Sequence, residues 1–159
     1  MNPVFGVTGW KNAGKTTLTE RLVAEFVRRG WTVATVKHAH HAADIDTPGT
    51  DSFRHRAAGA AEVALVTGQR YAIVRERGEA ALAEVLARLA PADLVLVEGY
   101  KREPHPKIEV RAAESPPMDA AIHNIVAIAS DRRPPDGPPW FARDDVGAIA
   151  DFIARSIGR

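Results

Sequence analysis

The chain has 159 residues, a formal net charge of +1, 26% charged residues and no cysteine. This length predicts a single domain, residues 1–159, that buries a substantial core. The balanced charge argues against nucleic-acid binding, and the lack of cysteine excludes disulfides, thiolate metal sites and cysteine nucleophiles. No apolar run reaches the length of a membrane span, and the first strand begins too early for a signal peptide. We therefore expect a cytoplasmic protein that binds no membrane.

Apolar runs that suit strands alternate along the chain with patterns that suit helices. Strands are predicted at residues 3–8, 32–36, 62–66, 71–75, 94–97 and 125–129. Helices are predicted at residues 17–29, 51–60, 78–89 and 144–157. The proline-rich segments 102–122 and 132–140 are predicted to be loops. The alternation predicts an α/β three-layer sandwich with a mostly parallel sheet, of the phosphate-loop NTPase type, and Gly68 favours an added β-hairpin.

Residues 9–16, with the sequence GWKNAGKT, match the phosphate-binding loop G-x-x-x-x-G-K-[ST]. Such a loop, between a strand and a helix, points backbone N–H groups and the positive helix end at a phosphate. Lys15 is expected to reach the β- and γ-phosphates, and the Thr16 hydroxyl to bind Mg²⁺. The loop therefore predicts binding of a nucleoside triphosphate. The predicted nucleotide-binding residues here are Gly9, Asn12, Ala13, Gly14, Lys15, Thr16 and Thr17.

Residues 93–101, with the sequence DLVLVEGYK, look like a Walker B strand that ends in the acid Glu98. In phosphate-loop proteins the strand beside the loop brings a carboxylate close to Mg²⁺. The predicted metal ligands are therefore Thr16 and Glu98, and Asp46 is expected to contact the ion through water. The D-x-x-G sequence at residues 46–49 is not a Walker B motif, because no buried strand precedes it.

A dense polar stretch follows the second predicted strand, where switch and substrate-binding loops lie in this architecture. Its histidines also have spacings that suit a transition metal. The residues predicted to form a substrate or switch loop, with the lysine that follows the Walker B acid, are Lys37, His38, His40, His41, Asp44, Asp51, Ser52 and Lys101.

Four blocks of sequence carry a resemblance that spans most of the chain. They are GWKNAGKTT at residues 9–17, KHAHHAADIDTPGTDS at 37–52, LVEGYK at 96–101 and IVAIASD at 125–131. In these blocks the chain resembles the MobB-type molybdopterin-guanine dinucleotide biosynthesis adapter proteins, which are small phosphate-loop GTP-binding proteins. The second block is the most specific. It departs from the family pattern at Ala42, where an aspartate is usual, so carboxylate chemistry in this loop is left to Asp44 and Asp46.

The resemblance implies a role beside the guanylyltransferase that joins GMP from GTP to molybdopterin. It implies GTP and Mg²⁺ as cofactors, a homodimer, contact with that MobA-type enzyme, and weak GTP hydrolysis. Weak hydrolysis also agrees with the sequence, in which no glutamine or arginine is identifiable as a water-orienting or charge-neutralising residue. An arginine from another subunit remains an alternative.

Asp131 closes an apolar strand at about the place where a guanine-reading residue would stand. A carboxylate there would accept hydrogen bonds from guanine N1 and N2, whereas adenine leaves the acid buried and unpaired. Asp131 is therefore predicted to select GTP, with a simple loop cap as the alternative.

Two other functions stay open from the sequence. In a small-molecule kinase the loop of residues 38–51 would bind the acceptor, and Lys37 or Arg54 would steady the transferred phosphate. In a metal-insertion GTPase the cluster from His38 to His41 would carry the ion. Residues 71–75 and 107–111 are expected to form exposed edge strands that pair between subunits.

Overall fold

The computed structural model describes residues 2–39, 45–76, 78 and 80–159. The chain forms two compact units, and each is treated by itself. The first unit comprises Met1–His38 and Leu82–Arg159, and the second comprises Ala39–Ala81.

The first unit is built on a six-stranded sheet in which every strand pairs in parallel with its neighbours. Its strands are β1 Val4–Thr8, β2 Val33–Lys37, β5 Leu94–Glu98, β6 Lys107–Arg111, β7 Ile125–Ser130 and β8 Trp140–Ala142. They lie in the order β2-β5-β1-β6-β7-β8. The helices of this unit are α1 Lys15–Arg28, α3 Leu82–Leu86, α4 Ala120–His123 and α5 Val146–Ser156.

Strand β5 shows how the sheet divides the core into layers. Its five residues are all buried, and successive side chains of a strand point to opposite faces. Leu94 and Leu96 pack with α1 and α5, whereas Val95 and Val97 pack on the other face with Leu82 of α3. The predicted α/β three-layer sandwich with a mostly parallel sheet is therefore confirmed.

Strand β6 contradicts the sequence prediction in two ways. It lies inside a segment predicted to be a loop, residues 102–122, and it is an interior strand rather than an exposed edge. It is hydrogen-bonded to β1 on one side and to β7 on the other, and four of its five residues are buried. With both edges occupied, β6 has no free edge for pairing with a second subunit.

The buried charges of β6 explain why its sequence, KIEVR, suggests an exposed strand. The ammonium group of Lys107 donates to the backbone carbonyls of Glu103, His105 and His123. Burial lowers the pKa of Lys107 to about 8, against the attraction of Glu103. Backbone carbonyls replace water as the acceptors around this ammonium group. Lys107 can therefore be buried, although the sequence pattern predicts that a lysine here is exposed to solvent.

The second unit contains the predicted hairpin. Strand β3 Glu62–Val66 pairs antiparallel with β4 Tyr71–Arg75, and the short helix α2 Asp51–Ala57 precedes them. The Thr50 side chain caps α2 by accepting a hydrogen bond from the Phe53 N–H. This two-stranded sheet confirms the added hairpin.

The observed helix boundaries differ from the predicted ones, and at α1 and α5 a capping residue sets the start of the helix. Helix α1 begins at Lys15, two residues early, because Gly14 adopts a left-handed conformation with φ 97°. Helix α5 begins at Val146, after Asp145 accepts a hydrogen bond from the Ala148 N–H. The observed α3 is shorter than the predicted helix of residues 78–89.

Within the described part of the chain, no helix combines the length and apolar character needed to cross a bilayer.

Candidate functional site

The phosphate-loop motif forms the turn between β1 and α1. Three of its residues have positive φ angles, namely Gly9 at 147°, Asn12 at 60° and Gly14 at 97°. A Cβ atom on Gly9 would lie 2.3 Å from the carbonyl oxygen of Val110. Only glycine therefore lets the loop pass this close to the end of β6.

The first turn of α1 offers its backbone donors to an external ligand. Gly14 caps the helix with no side-chain hydrogen bond, and the first turn contains no acidic residue. The first N–H groups of a helix lack intrahelical partners, and the helix dipole makes this end positive. The geometry is that of an anion site at the start of α1.

A hydroxyl and a carboxylate meet beside the loop. The Thr16 hydroxyl donates to the Glu98 carboxylate over 2.9 Å, and Glu98 is buried at the end of β5. The Lys37 ammonium group lies 3.4 Å from each of these two oxygen atoms. Hard oxygen donors of this kind suit Mg²⁺. The structure therefore brings together Thr16, Glu98 and Lys37, as the sequence indicates.

Three lysines concentrate positive charge at the loop. The Lys15 ammonium group donates to the Trp10 carbonyl over 2.7 Å. Burial lowers the pKa of Lys15, Glu98 opposes this shift, and repulsion from Lys101 and Lys37 adds to it. The mutual repulsion shows that the lysines share one region, which an anion would stabilise.

A strained turn after β5 positions Lys101. Gly99 and Tyr100 both have positive φ angles, 95° and 45°, and the Tyr100 ring stacks on His38 with 4.5 Å between ring centroids. Lys101 then places its ammonium group 4.4 Å from the centroid of the Trp10 ring. Non-glycine residues in left-handed conformations are costly and cluster at functional sites.

Asp131 follows β7 and borders a cavity of about 280 Å³ beside the first turn of α1. Its side chain is 65% exposed and pairs with Arg143 over 2.8 Å. Asp131 is therefore a carboxylate at the surface end of the strand, and its role as the guanine-reading residue stays a prediction. The cavity is lined by Gly14, Thr17, Leu18, Arg21, Asp131, Arg143 and Asp144.

Asp46, Asp51 and Ser52 lie in the second unit. One Asp46 oxygen accepts hydrogen bonds from the Thr47 N–H and from the hydroxyls of Ser52 and Thr50. Burial raises the pKa of Asp46, but these three hydrogen bonds and the Arg56 charge outweigh burial and lower it. Ser52 thus supports Asp46, whereas Asp51 is exposed at the start of α2.

His40, His41 and Asp44 lie outside the described residues. Among the residues that are described, no three His, Asp or Glu side chains cluster as a metal site would require. The metal-carrying histidine cluster therefore stays a prediction.

Two residues of the site were missed by the sequence prediction. Arg143 bonds not only Asp131 but also the backbone carbonyls of Ala13 and Arg111. Trp10 carries Lys101 on its ring, and its indole N–H donates to the Pro116 carbonyl over 2.7 Å. The available signal for Arg143 was its place directly after the apolar run Trp140–Ala142, which forms β8 but follows a proline-rich segment and was not predicted as a strand.

Comparison with known proteins gives the family. Residues 4–131 match the sequence model of the family described as molybdopterin guanine dinucleotide synthesis protein B, MobB. The chain belongs to the MobB family. It is 36% identical to the molybdopterin-guanine dinucleotide biosynthesis adapter protein of Haemophilus influenzae, over 95% of this chain and 87% of that protein. It is 34% identical to the Escherichia coli adapter protein, over 96% of this chain and 92% of that protein.

Solved MobB structures share the fold. The crystal structure of Bacillus subtilis MobB has a TM-score of 0.77 at 26% identity, with 99% of both chains covered. A MobB homologue from Bacillus stearothermophilus has a TM-score of 0.71 at 32% identity, with 97% of both chains covered. Family and fold thus agree along almost the whole length of the chain.

The close approach of Gly9 to β6 predicts that a single methyl group added at residue 9 strongly destabilises the fold. Gly9→Ala should lower the free energy of unfolding by about 2–4 kcal/mol, because the new Cβ meets the Val110 carbonyl and φ stays positive. Gly147→Ala is the control, since its Cβ meets nothing closer than 4.0 Å and a helical alanine stabilises by up to about 1 kcal/mol. Urea unfolding measures both, and a Gly9→Ala protein as stable as the unaltered chain would contradict the close contact.

Proposed function

We propose that this MobB-family chain is a GTP-binding adapter of molybdenum cofactor biosynthesis. In this role it assists the conversion of molybdopterin to molybdopterin guanine dinucleotide and hydrolyses GTP slowly. The adapter role follows from the family and from relatives that bear that name. The observation that carries the nucleotide part is the uncapped start of α1 behind the phosphate loop, with Thr16 and Glu98 beside it.

Each part of a Mg²⁺-nucleotide has a matching group in this proposal. The backbone N–H groups from Asn12 to Thr16 hold the phosphates, and Lys15 neutralises the terminal ones. Thr16 and Glu98 hold Mg²⁺ directly or through its water, and the ion supplies charge neutralisation to the phosphates. Lys37 and Lys101 face the same anionic space, as their repulsion of Lys15 indicates.

The cavity beside Asp131 is the proposed place for the base. It adjoins the first turn of α1, so phosphates held in the loop direct the rest of the nucleotide toward it. Arg143 bonds the Oδ2 atom of Asp131, and Oδ1 makes no hydrogen bond with any described residue. The guanidinium group therefore orients the carboxylate and leaves acceptor capacity for guanine N1 and N2.

Removal of the Asp131 charge should relax base selection. Asp131→Asn is expected to reduce the preference for GTP over ATP about tenfold, because an amide replaces an acceptor of two guanine N–H groups with a mixed donor and acceptor. Asp144→Asn, on the same cavity, is the matched control and should keep the preference. Competition binding measures the ratio, and an unchanged ratio in Asp131→Asn would remove this residue from base reading.

The type of cation at the phosphate loop agrees with slow hydrolysis of GTP. Lysines bind phosphate as point charges, whereas the large accelerations of GTP hydrolysis come with an arginine at the transferred phosphate. The cations whose repulsion lowers the pKa of Lys15 are lysines, whereas Arg143 bonds Asp131 and the carbonyls of Ala13 and Arg111. An arginine supplied by another subunit would then raise the rate of GTP hydrolysis. A partner protein could control hydrolysis in this way.

The adapter proposal is tested by guanylyl transfer in the presence of a MobA-type guanylyltransferase. We expect the chain to raise the yield of molybdopterin guanine dinucleotide from GTP, and Lys15→Ala to abolish that gain. Incubated alone with GTP, the chain should produce only GDP and phosphate. A phosphorylated acceptor would instead identify the small-molecule kinase, and an unchanged yield would contradict the adapter.

A homodimer, also part of the proposal, has a candidate interface in the β3–β4 hairpin. The hairpin exposes four large apolar side chains, Leu65, Val66, Tyr71 and Ile73. Exposed apolar strands of this kind mark protein interfaces. The pairing expected at residues 71–75 therefore remains in the proposal, while that at 107–111 does not.

We also place the protein in the cytoplasm, which agrees with the lack of cysteine.

Gel filtration at micromolar concentration tests the dimer. The intact chain should elute as a dimer, and Ile73→Lys as a monomer, because a charge on the hairpin face opposes its burial. Ile122→Lys, at an exposed position of α4, should remain dimeric. A monomeric intact chain would count against this interface.

A further inference from the structure

Strands β2 and β5 bring two opposite charges to the start of α1. Lys37 and Glu98 are partners in the parallel pairing of these strands, so their side chains lie on the same face of the sheet. The preceding residues, Val36 and Val97, pack on the other face. Thr16, in the first turn of α1, completes the group, because its hydroxyl donates to Oε1 of Glu98. Three separate elements therefore place a cation, a carboxylate and a hydroxyl together.

The spacing of the two oxygen atoms suits neighbouring ligands on a magnesium ion. Oγ1 of Thr16 lies 2.9 Å from Oε1 of Glu98. An octahedral Mg²⁺ with oxygen ligands at about 2.05 Å holds neighbouring ligands about 2.9 Å apart. The hydrogen-bonded pair therefore already has the separation that the ion requires.

Lys37 supplies the positive charge at this pair. Its ammonium nitrogen lies 3.4 Å from Oγ1 of Thr16 and 3.4 Å from Oε1 of Glu98. Among the cations that the structure describes, Lys37 alone forms an ion pair with Glu98. The charge of Glu98 also acts on Lys15, but the Lys15 ammonium group donates to the Trp10 carbonyl. Neutralisation of this carboxylate at contact distance therefore depends on Lys37.

The two partners of this ion pair differ in their freedom to move. The Glu98 side chain is 10% exposed, and a buried carboxylate without a partner is costly. The Lys37 side chain is 60% exposed and carries its charge on a flexible four-carbon stem. Lys37 can therefore give way to another cation, whereas Glu98 stays at the end of β5.

A metal ion and the Lys37 ammonium group compete for the same carboxylate. Two positive charges at contact distance near a protein surface repel each other strongly, so Lys37 must withdraw before an ion binds. Phosphates in the loop would attract it, since Lys37 is close enough to Lys15 to repel its charge. A bound nucleotide thus offers the ammonium group another anion.

We propose that Lys37 excludes divalent cations from the pair formed by Thr16 and Glu98 until a nucleotide binds. Its ammonium group neutralises Glu98, and the phosphates of the nucleotide then attract it away from this carboxylate. Lys37 thereby makes metal binding depend on nucleotide binding. The inference rests on the proposed function for the identity of that anion, whereas the competition at Glu98 needs no nucleotide.

Titration of the full chain with Mn²⁺, without nucleotide, tests the competition. Mn²⁺ prefers the same oxygen ligands as Mg²⁺, and the electron paramagnetic resonance signal of free Mn²⁺ measures its binding. We expect Lys37→Met to bind Mn²⁺ at least about tenfold more tightly than the intact chain, because the repelling charge is gone. Lys37→Gln should show the same gain, so it decides the result if circular dichroism shows that Lys37→Met is unfolded.

Three control variants separate contact with Glu98 from a general change of charge. Lys11→Met removes an exposed lysine of the phosphate loop and should leave the Mn²⁺ affinity unchanged. Lys37→Arg keeps the charge and should bind Mn²⁺ as weakly as the intact chain. Glu98→Gln, added to Lys37→Met, should abolish the gain, which locates the ion at this carboxylate.

Binding of GTP in EDTA, which removes divalent ions, tests the attraction of Lys37 to phosphate. Lys37→Met should bind metal-free GTP about tenfold more weakly, because a cation that faces the phosphates is lost. The same substitution thus strengthens Mn²⁺ binding and weakens GTP binding. A lysine that only supported the fold would weaken both.

Failure of this inference is distinguishable from failure of GTP binding, because the Mn²⁺ titration contains no nucleotide. Mn²⁺ binding that is equal in the intact chain and in Lys37→Met, undetectable in both, or raised equally by Lys11→Met would overturn the proposal whatever GTP does. Metal-free GTP that binds the intact chain and Lys37→Met equally well would overturn the release of Lys37 to phosphate.

Discussion

The close contact between Gly9 and the Val110 carbonyl is the constraint on which the rest of the site depends. It brings the phosphate loop against the end of β6, where a side chain at residue 9 has no space. Arg143 strengthens the same junction by bonding the carbonyls of Ala13 and Arg111. Strand β6 therefore supports the phosphate loop, and its residues Glu109 and Arg111 line a cavity of about 260 Å³ under β6 and β7.

Two lysines of the first unit, Lys107 and Lys15, differ in the groups that surround their ammonium groups. Lys107 is stable inside the sheet because three backbone carbonyls surround its ammonium group. The ammonium group of Lys15 donates to one backbone carbonyl, and two other lysines repel it. The first arrangement is satisfied by the protein itself, whereas the second favours an added anion. This contrast separates a structural lysine from one that is suited to hold phosphate.

Sequence patterns predicted the parts of the site that depend on local geometry. The phosphate loop, the acid at the end of β5 and the position of Asp131 after β7 all follow from strands that run directly into polar residues. Strand β6 was beyond such patterns, since the backbone groups that bond the buried Lys107 and Glu109 side chains lie outside the strand, up to 16 residues away. Arg143 and the cavity under β6 and β7 were missed for the same reason, because long-range packing creates both.

Calorimetric titration with GTP and ATP in Mg²⁺, on the intact chain and on Lys15→Ala, most directly tests whether the phosphate loop holds a guanine nucleotide. Lys11→Ala, an exposed lysine of the same loop, is the control. We expect one GTP per chain, weaker binding of ATP, and an affinity at least about tenfold lower in Lys15→Ala but not in Lys11→Ala. Preference for ATP, or GTP binding that survives the loss of Lys15 unchanged, would contradict a guanine nucleotide held by this loop.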